Sequence, residues 1–207
     1  MLTGVLPVMP SNTYLECEHL NGISVLRLNS KDGRNRLNLD FMLSMSKEVS
    51  QLSLVPRPLI ITGNDNYFSV GADLSEIASL KEASAYDFAQ AGQSLMNVVQ
   101  DYPAPAYAAI SGYCMGGGLD LALACHYRLA SQTAVFGHRG AALGLITGWG
   151  GTQRLPRLIG KGRALQIFTA AEKLSAKVAY QIGLVDAIVG DPVAEALLRI
   201  QAGPAVV

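Results

Sequence analysis

The chain is predicted to be an α/β protein in which short buried strands alternate with helices. Three features of the sequence lead to this. Short apolar runs such as Leu59-Ile60-Ile61-Thr62 and 106–111 recur along the chain, each ended by glycine or a polar turn. Longer segments with helical spacing of apolar residues lie between them. Two of the runs lead into glycine-containing turns, at residues 68–72 and 112–118, and that pattern suits strands feeding turns and helices of one α/β domain.

In chain order, 13–20 and 23–29 are β-rich and are joined by Asn21-Gly22, a hairpin dipeptide. Residues 31–36, Lys-Asp-Gly-Arg-Asn-Arg, form a polar, partly basic loop. Asn38 is a suitable N-cap for a helix through Ser53 with Met42, Met45, Val49 and Leu52 on one face. Pro56 and Pro58 end that segment before the strand at 59–62. A helix is expected at 83–99, a strand at 106–111, and a helix opened by Gly117 or Gly118 and running to His126. Short strands follow at 127–130 and 135–136, then a glycine-rich loop at 144–151 and helices at 152–159 and 163–171. Ser175 caps a helix ending before Gly183, and a last strand covers 184–189.

The chain has 207 residues, of which 50% are hydrophobic and 15% charged, so an extra buried surface such as a subunit interface is expected. Lys plus Arg and Asp plus Glu are both 16, which gives no bulk attraction to nucleic acid or an anionic membrane. The long uncharged run at 102–119 carries two prolines and four glycines, so it reads as a strand and turn and not as a membrane span. Cys17, Cys114 and Cys125 lack metal-site spacing and fit a reducing compartment. Residues 1–12 have no basic start and are read as a flexible lead, not a signal peptide. No metal or redox cofactor is expected, because neither a ligand cluster nor a dinucleotide fingerprint is present.

The chemistry concentrates at the two glycine turns. Met115-Gly116-Gly117-Gly118 turns from a strand into a helix, whose first amides have no intrahelical acceptor and sit at the positive end of its dipole. Such an amide is a ready donor to a developing oxyanion. A second donor is available at Ala72 if the chain turns sharply at Gly71. Taken singly, each segment also reads as a tight turn between packed elements. Asp120, just past the third glycine in an apolar helix, is a candidate acid/base group, although an acid in a first helical turn also suits the dipole.

Residues 68–74 (Phe-Ser-Val-Gly-Ala-Asp-Leu), 109–122, 150–157 (Gly-Gly-Thr-Gln-Arg-Leu-Pro-Arg) and 179–185 resemble the enoyl-CoA hydratase/isomerase, or crotonase, family over nearly the whole chain. The resemblance implies a spiral of ββα units assembled as homotrimers or dimers of trimers, acting on acyl thioesters of coenzyme A in the cytoplasm. It implies that the amides of Ala72 and Gly117 polarise the thioester carbonyl and stabilise an enolate. Arg34 or Arg36, with Ser69, Gly71, Ala72, Asp73 and Leu74, would lie near the coenzyme, along with Gly117 and Gly140.

The hydratases of this family share proton transfer between two glutamates. Asp120 stands at the first position, one methylene short, and Gly140 stands at the second. His138 as base or Arg139 as anion-binding group could substitute, or both could face solvent or a neighbouring subunit. The expected function is therefore enoyl-CoA hydration or isomerisation with Asp120 as the retained acid/base. The alternatives are hydrolase or decarboxylase chemistry on the same fold, or an acyl-CoA-binding relative without catalysis. Gly112-Tyr113-Cys114-Met115-Gly116 formally matches a nucleophile elbow with Cys114 as nucleophile, but the helix is expected to start only after the glycines, so Cys114 is better read as an apolar lining residue. The domain is expected over 13–190, followed by a shortened C-terminal helix or tail at 191–207.

Overall fold

The computed structural model describes residues 14–203, so the N-terminal lead expected over 1–12 lies outside the described residues. The chain runs β1 (Leu15–Leu20), β2 (Ile23–Leu28), β3 (Arg36–Leu37), α1 (Leu39–Leu52), β4 (Leu59–Thr62), β5 (Tyr67–Ser69), β6 (Gly71–Ala72), α2 (Leu74–Ser79) and α3 (Glu82–Gln100). It continues with β7 (Ala106–Ile110), β8 (Tyr113–Met115), α4 (Gly117–Ala124), β9 (Tyr127–Ser131) and β10 (Val135–Gly137). A 3-10 turn (Gly140–Leu143), α5 (Gly151–Ile159), α6 (Lys161–Ala170), β11 (Leu174–Ser175), α7 (Ala176–Gln181), β12 (Ala187–Val189) and α8 (Pro192–Ala202) complete it.

The strands sort into a six-stranded sheet ordered β1-β2-β4-β7-β9-β12, a four-stranded sheet ordered β11-β10-β8-β5, and the pair β3-β6. Three consecutive strand pairs, β4/β5, β7/β8 and β9/β10, each give one strand to the large sheet and the next to the small one. Each pair is followed by helix. That repetition is the spiral of ββα units, and it stacks the β5, β8 and β10 ends side by side in parallel.

Local chemistry accounts for the first elements. Asn21 and Gly22 both adopt positive φ, 50° and 81°, as a two-residue hairpin turn requires, and β1 and β2 pair from Leu15↔Leu28 to Leu20↔Ile23. The Asn38 side chain accepts the Phe41 N–H at 2.8 Å and starts α1. That helix buries Phe41, Met42, Met45 and Val49, each worth roughly 1.5–3 kcal/mol of transfer free energy. The main core joins α1, α3 and α4 to the inner faces of the sheets. A second, smaller core lies under α8, where Ala196 meets Ile23, Val25, Ile60, Tyr107 and Leu129.

Most boundaries fall within one or two residues of their expected places, and two shifts have a clear local cause. The helix opened by Gly117 stops at Ala124 rather than His126, because the His126 N–H donates to Ala106 O at 2.9 Å and draws the chain into the sheet. The final strand is Ala187–Val189, not 184–189. Leu184 N–H and Val185 N–H donate back to Ala179 O, at 2.8 and 3.4 Å, and so close the end of α7.

Candidate active site

The two glycine turns meet. A Cβ placed on Gly71, whose φ is +88°, would lie 2.6 Å from Met115 O and 2.7 Å from Gly117 N. One placed on Gly118 would lie 2.5 Å from Ser69 O. Only glycine permits this approach, which sets the β6 turn flush against the start of α4. Gly116 adds the left-handed turn, with φ 53°, that converts β8 into the helix.

The turn is also locked from behind. Ser69 Oγ donates to Asn35 O at 2.7 Å and accepts the Gly71 N–H at 3.1 Å. Asn35, fully buried, donates its side-chain amide to Phe68 O at 3.0 Å. Asp73 N–H donates to Leu37 O at 3.3 Å. Gly117 is the first residue of α4, and its N–H has no intrahelical acceptor. The β6 turn that carries Ala72 therefore packs directly against the amide end of α4.

Asp120 lies one helical turn beyond Gly117 and is 0% exposed. Thr147, from the 144–151 loop, donates its hydroxyl to Asp120 Oδ2. Oδ1 faces His138 Nε2 at 3.3 Å. The two atoms lie off the hydrogen-bonding direction, and neither has another hydrogen-bond partner among the described residues. Burial pushes the Asp120 carboxyl up to about 7, against the Thr147 hydrogen bond and the charge of Arg154, which pull it down. Burial pushes His138 down to about 4. The mutual attraction of carboxylate and imidazolium acts in the opposite sense on both.

His138 is buried, which replaces the expectation that it faces solvent, whereas Arg139 is exposed beside it. Gly140 lies where a Cβ would be 2.6 Å from Leu145 O, so the backbone leaves no room for an acid there. Arg34 is exposed and Arg36 is half-buried and paired with Asp32. Both flank the β6 turn, since Arg34 O accepts the Val70 N–H at 3.1 Å and Arg36 is in register with Gly71. Asp73 caps α2 through the Ser75 N–H at 2.9 Å, and hydrogen bonds from Ser75 hold its carboxyl below the usual range. Leu74 is exposed.

Cys114 corrects the nucleophile-elbow reading. It lies within β8, fully buried, and its thiol donates to Gly118 O at 3.5 Å. Burial pushes its pKa well above the ordinary thiol value, so the thiolate is disfavoured.

Sequence reasoning missed Thr147, Trp149 and Gly151. Trp149 is the chain's one tryptophan and is buried between α3 and α4, with its ring 5.4 Å from that of Phe88 and packed on the open faces of Gly92 and Gly117. Gly151 opens α5 against the Asp120 carboxylate, where a Cβ would fall 2.9 Å from the Thr147 methyl. A lone tryptophan in a Gly-Trp-Gly-Gly stretch was the available signal. Surface clefts of about 440 and 550 Å³ lie elsewhere, beside Asn38 and Asp73 and beside Arg128 and Arg154. Among the described residues no group of three or more His, Cys, Asp or Glu is placed to hold a metal ion, and no helix is long and apolar enough to cross a membrane.

The fold is a spiral of ββα units in which a glycine turn packs on the start of a helix that carries an enclosed carboxylate. The family model described as Enoyl-CoA hydratase/isomerase matches residues 18–201, and the chain belongs to that family. It is 38% identical over 181 residues to a crotonyl-CoA hydratase of Syntrophomonas wolfei, covering 86% of this chain and 69% of that protein. It is 46% identical over 131 residues to a probable enoyl-CoA hydratase of Bacillus subtilis, covering 62% and 50%. Among solved structures, the enoyl-CoA hydratase of Thermoplasma volcanium superposes with a TM-score of 0.87 at 33% identity, over 92% of this chain and 77% of that one. Pseudomonas aeruginosa DspI gives 0.87 at 32% identity, over 92% and 74%. The chain thus spans from 50% to 69% of the length of these two curated relatives.

Proposed function

We propose that the protein acts on enoyl thioesters of coenzyme A and moves one proton between carbons, or between water and carbon, through an enolate. The observation that supports this reading is the approach of the Gly71 turn to Gly117 N, in which the amides of Ala72 and Gly117 would serve as the two donors. The thioester oxygen would accept both amides. Charge developing on that oxygen is then met by fixed dipoles, an arrangement in which losing one donor typically costs on the order of 10²–10³ in rate. Asp120 would carry the proton, and a carboxyl with a pKa near 7 suits both taking and giving at neutral pH.

With Gly140 closed to a side chain, hydration by two carboxylates is unsupported. Isomerisation and single-acid hydration both need one proton taken and the same one returned. The Asp120 carboxylate is enclosed beneath the loop at 144–151, which supplies Thr147. The coenzyme would enter as substrate with no resident cofactor, with Arg34 and Arg36 beside its polar end. A homotrimer or dimer of trimers in the cytoplasm is the accompanying reading, supported by the family resemblance alone.

The test is a panel of 2-enoyl-CoA and 3-enoyl-CoA esters followed by the conjugated thioester absorbance. Loss of absorbance from 2-enoyl esters assigns hydration, and its appearance from 3-enoyl esters assigns isomerisation. No change with either, in protein that still binds the esters, overturns the catalytic reading in favour of a binding role.

A further inference from the structure

We infer that His138 is the proton-holding partner of Asp120: Nε2 and Oδ1 share one proton, and the pair does the work for which a second carboxylate has no room. This rests on the proposed acid/base role of Asp120. The geometry is built into the backbone. β10 runs parallel to β8 with Gly137 in register with Met115, and Gly116 N–H donates to Gly137 O at 2.9 Å. His138 is therefore fixed by strand register next to the start of α4. The Phe168 ring of α6 backs the imidazole at 5.1 Å. Thr147 occupies Oδ2, which leaves Oδ1 to face Nε2.

The surroundings favour one shared proton over two charges or none. Two buried atoms lie 3.3 Å apart and unsatisfied, Oδ1 and Nε2, and a small turn of the imidazole would let a single hydrogen between them satisfy both. From the packed elements, Arg154 of α5 acts on Asp120 through its charge, the neutral Cys114 thiol of β8 lies near it, the Thr147 hydroxyl contacts it, and Phe168 presents only carbon to the imidazole. Exposed Arg139 is next in sequence. In the catalytic step the pair starts without its proton, as Asp120 carboxylate and neutral His138, and a C–H or water O–H bond breaks and its proton bonds to Asp120 Oδ1. In the C–H case the electron pair passes into the thioester as enolate. In the water case the oxygen bonds to the β-carbon and the enolate forms from the alkene. Nε2 shares the proton while the enolate lasts, and it returns to carbon. No other reactant is needed.

The experiment has two arms. In substrate-free protein, the ¹⁵N signals of the His138 ring are titrated from pH 5 to 8. The expected result is a step near neutral pH that disappears in Asp120→Asn. A flat His138 signal in the folded wild type overturns the pair, whatever the enzyme assay shows. In the active enzyme, His138→Gln keeps a polar side chain of similar reach, and its fold is checked by circular dichroism. The expected result is a fall of about tenfold or more in kcat with KM within about twofold, and an acidic limb of the kcat profile moved to lower pH, because the proton has lost its second holder. An unmoved or raised limb assigns His138 to packing and overturns the inference. If the enzyme panel is silent but the ¹⁵N step is present, the pair stands and the catalytic reading fails.

Discussion

The two halves of the candidate site are built from different materials. The donor half, Ala72 and Gly117, is backbone held by glycines, and its geometry is set by what side chains are missing: a Cβ at Gly71 or Gly118 would collide with Gly117 N or Ser69 O. The acid half, Asp120 with Thr147 and His138, is made of side chains that arrive from three separate segments of the chain. The first is rigid and indifferent to pH. The second is desolvated and tunable. Stabilising an oxyanion needs fixed dipoles, whereas moving a proton needs a group whose charge can change, and on the proposed reading the two halves would meet these demands by opposite means.

The sharpest way to break the donor half is Gly71→Ala. The substitution strains a φ of +88° and drives a methyl into Met115 O and Gly117 N, at a cost of about 1–3 kcal/mol in the turn. Turnover is expected to fall by on the order of 10² or more, with the denaturant midpoint lowered. The acid half should respond in the opposite pattern. Asp120→Asn removes a buried ionisable group while keeping an acceptor for Thr147. Turnover should fall about 10²–10⁴-fold with stability unchanged or raised, as read by urea unfolding.

A smaller effect separates the halves by pH. Asp120 binds its proton more tightly folded than unfolded, rising from 3.8 to about 7. Its contribution to stability is thus full below about pH 4 and lost as pH rises through 7. His138 is depressed from 6.5 to about 4. Its contribution is full above about pH 6.5 and lost as pH falls through 4. Across the shared window the two cancel, since the pair carries one proton in either state. Asp120→Asn should therefore make stability climb between pH 4 and 6.5, and His138→Gln should make it fall between pH 4 and 7. Each slope should approach about 1.4 kcal/mol per pH unit. The smallest effect on turnover is expected at Cys114→Ser, which should keep most activity and cost about 1–3 kcal/mol for a buried hydroxyl whose partner geometry is imperfect, and thiol reagents should leave the turnover of the unsubstituted protein unchanged.

The same division governs what was legible in the sequence. Asn38 as the N-cap of α1, the Asn21-Gly22 hairpin and the glycine turns all rest on local chemistry, and the structure places them where local chemistry puts them. The strands β3, β6 and β11 have two residues each, too few for an alternation to show, and exist because neighbours pair with them. Thr147 meets Asp120 across 27 positions, which no local pattern encodes. His138 and Arg139 stood as equal candidates in the sequence, and only the parallel register of β10 on β8 turns the histidine inward and the arginine out.

The central claim is that Ala72 and Gly117 hold one thioester oxygen beside Asp120. It is tested most directly by binding a conjugated 2-enoyl-CoA ester, labelled with ¹³C at the thioester carbonyl, to the Asp120→Asn protein, in which the ester persists. Two converging donors should shift the carbonyl resonance downfield and move the conjugated absorbance to longer wavelength, and Gly71→Ala in the same background should abolish both shifts. A bound ester whose carbonyl resonance and absorbance match those in water would contradict the account.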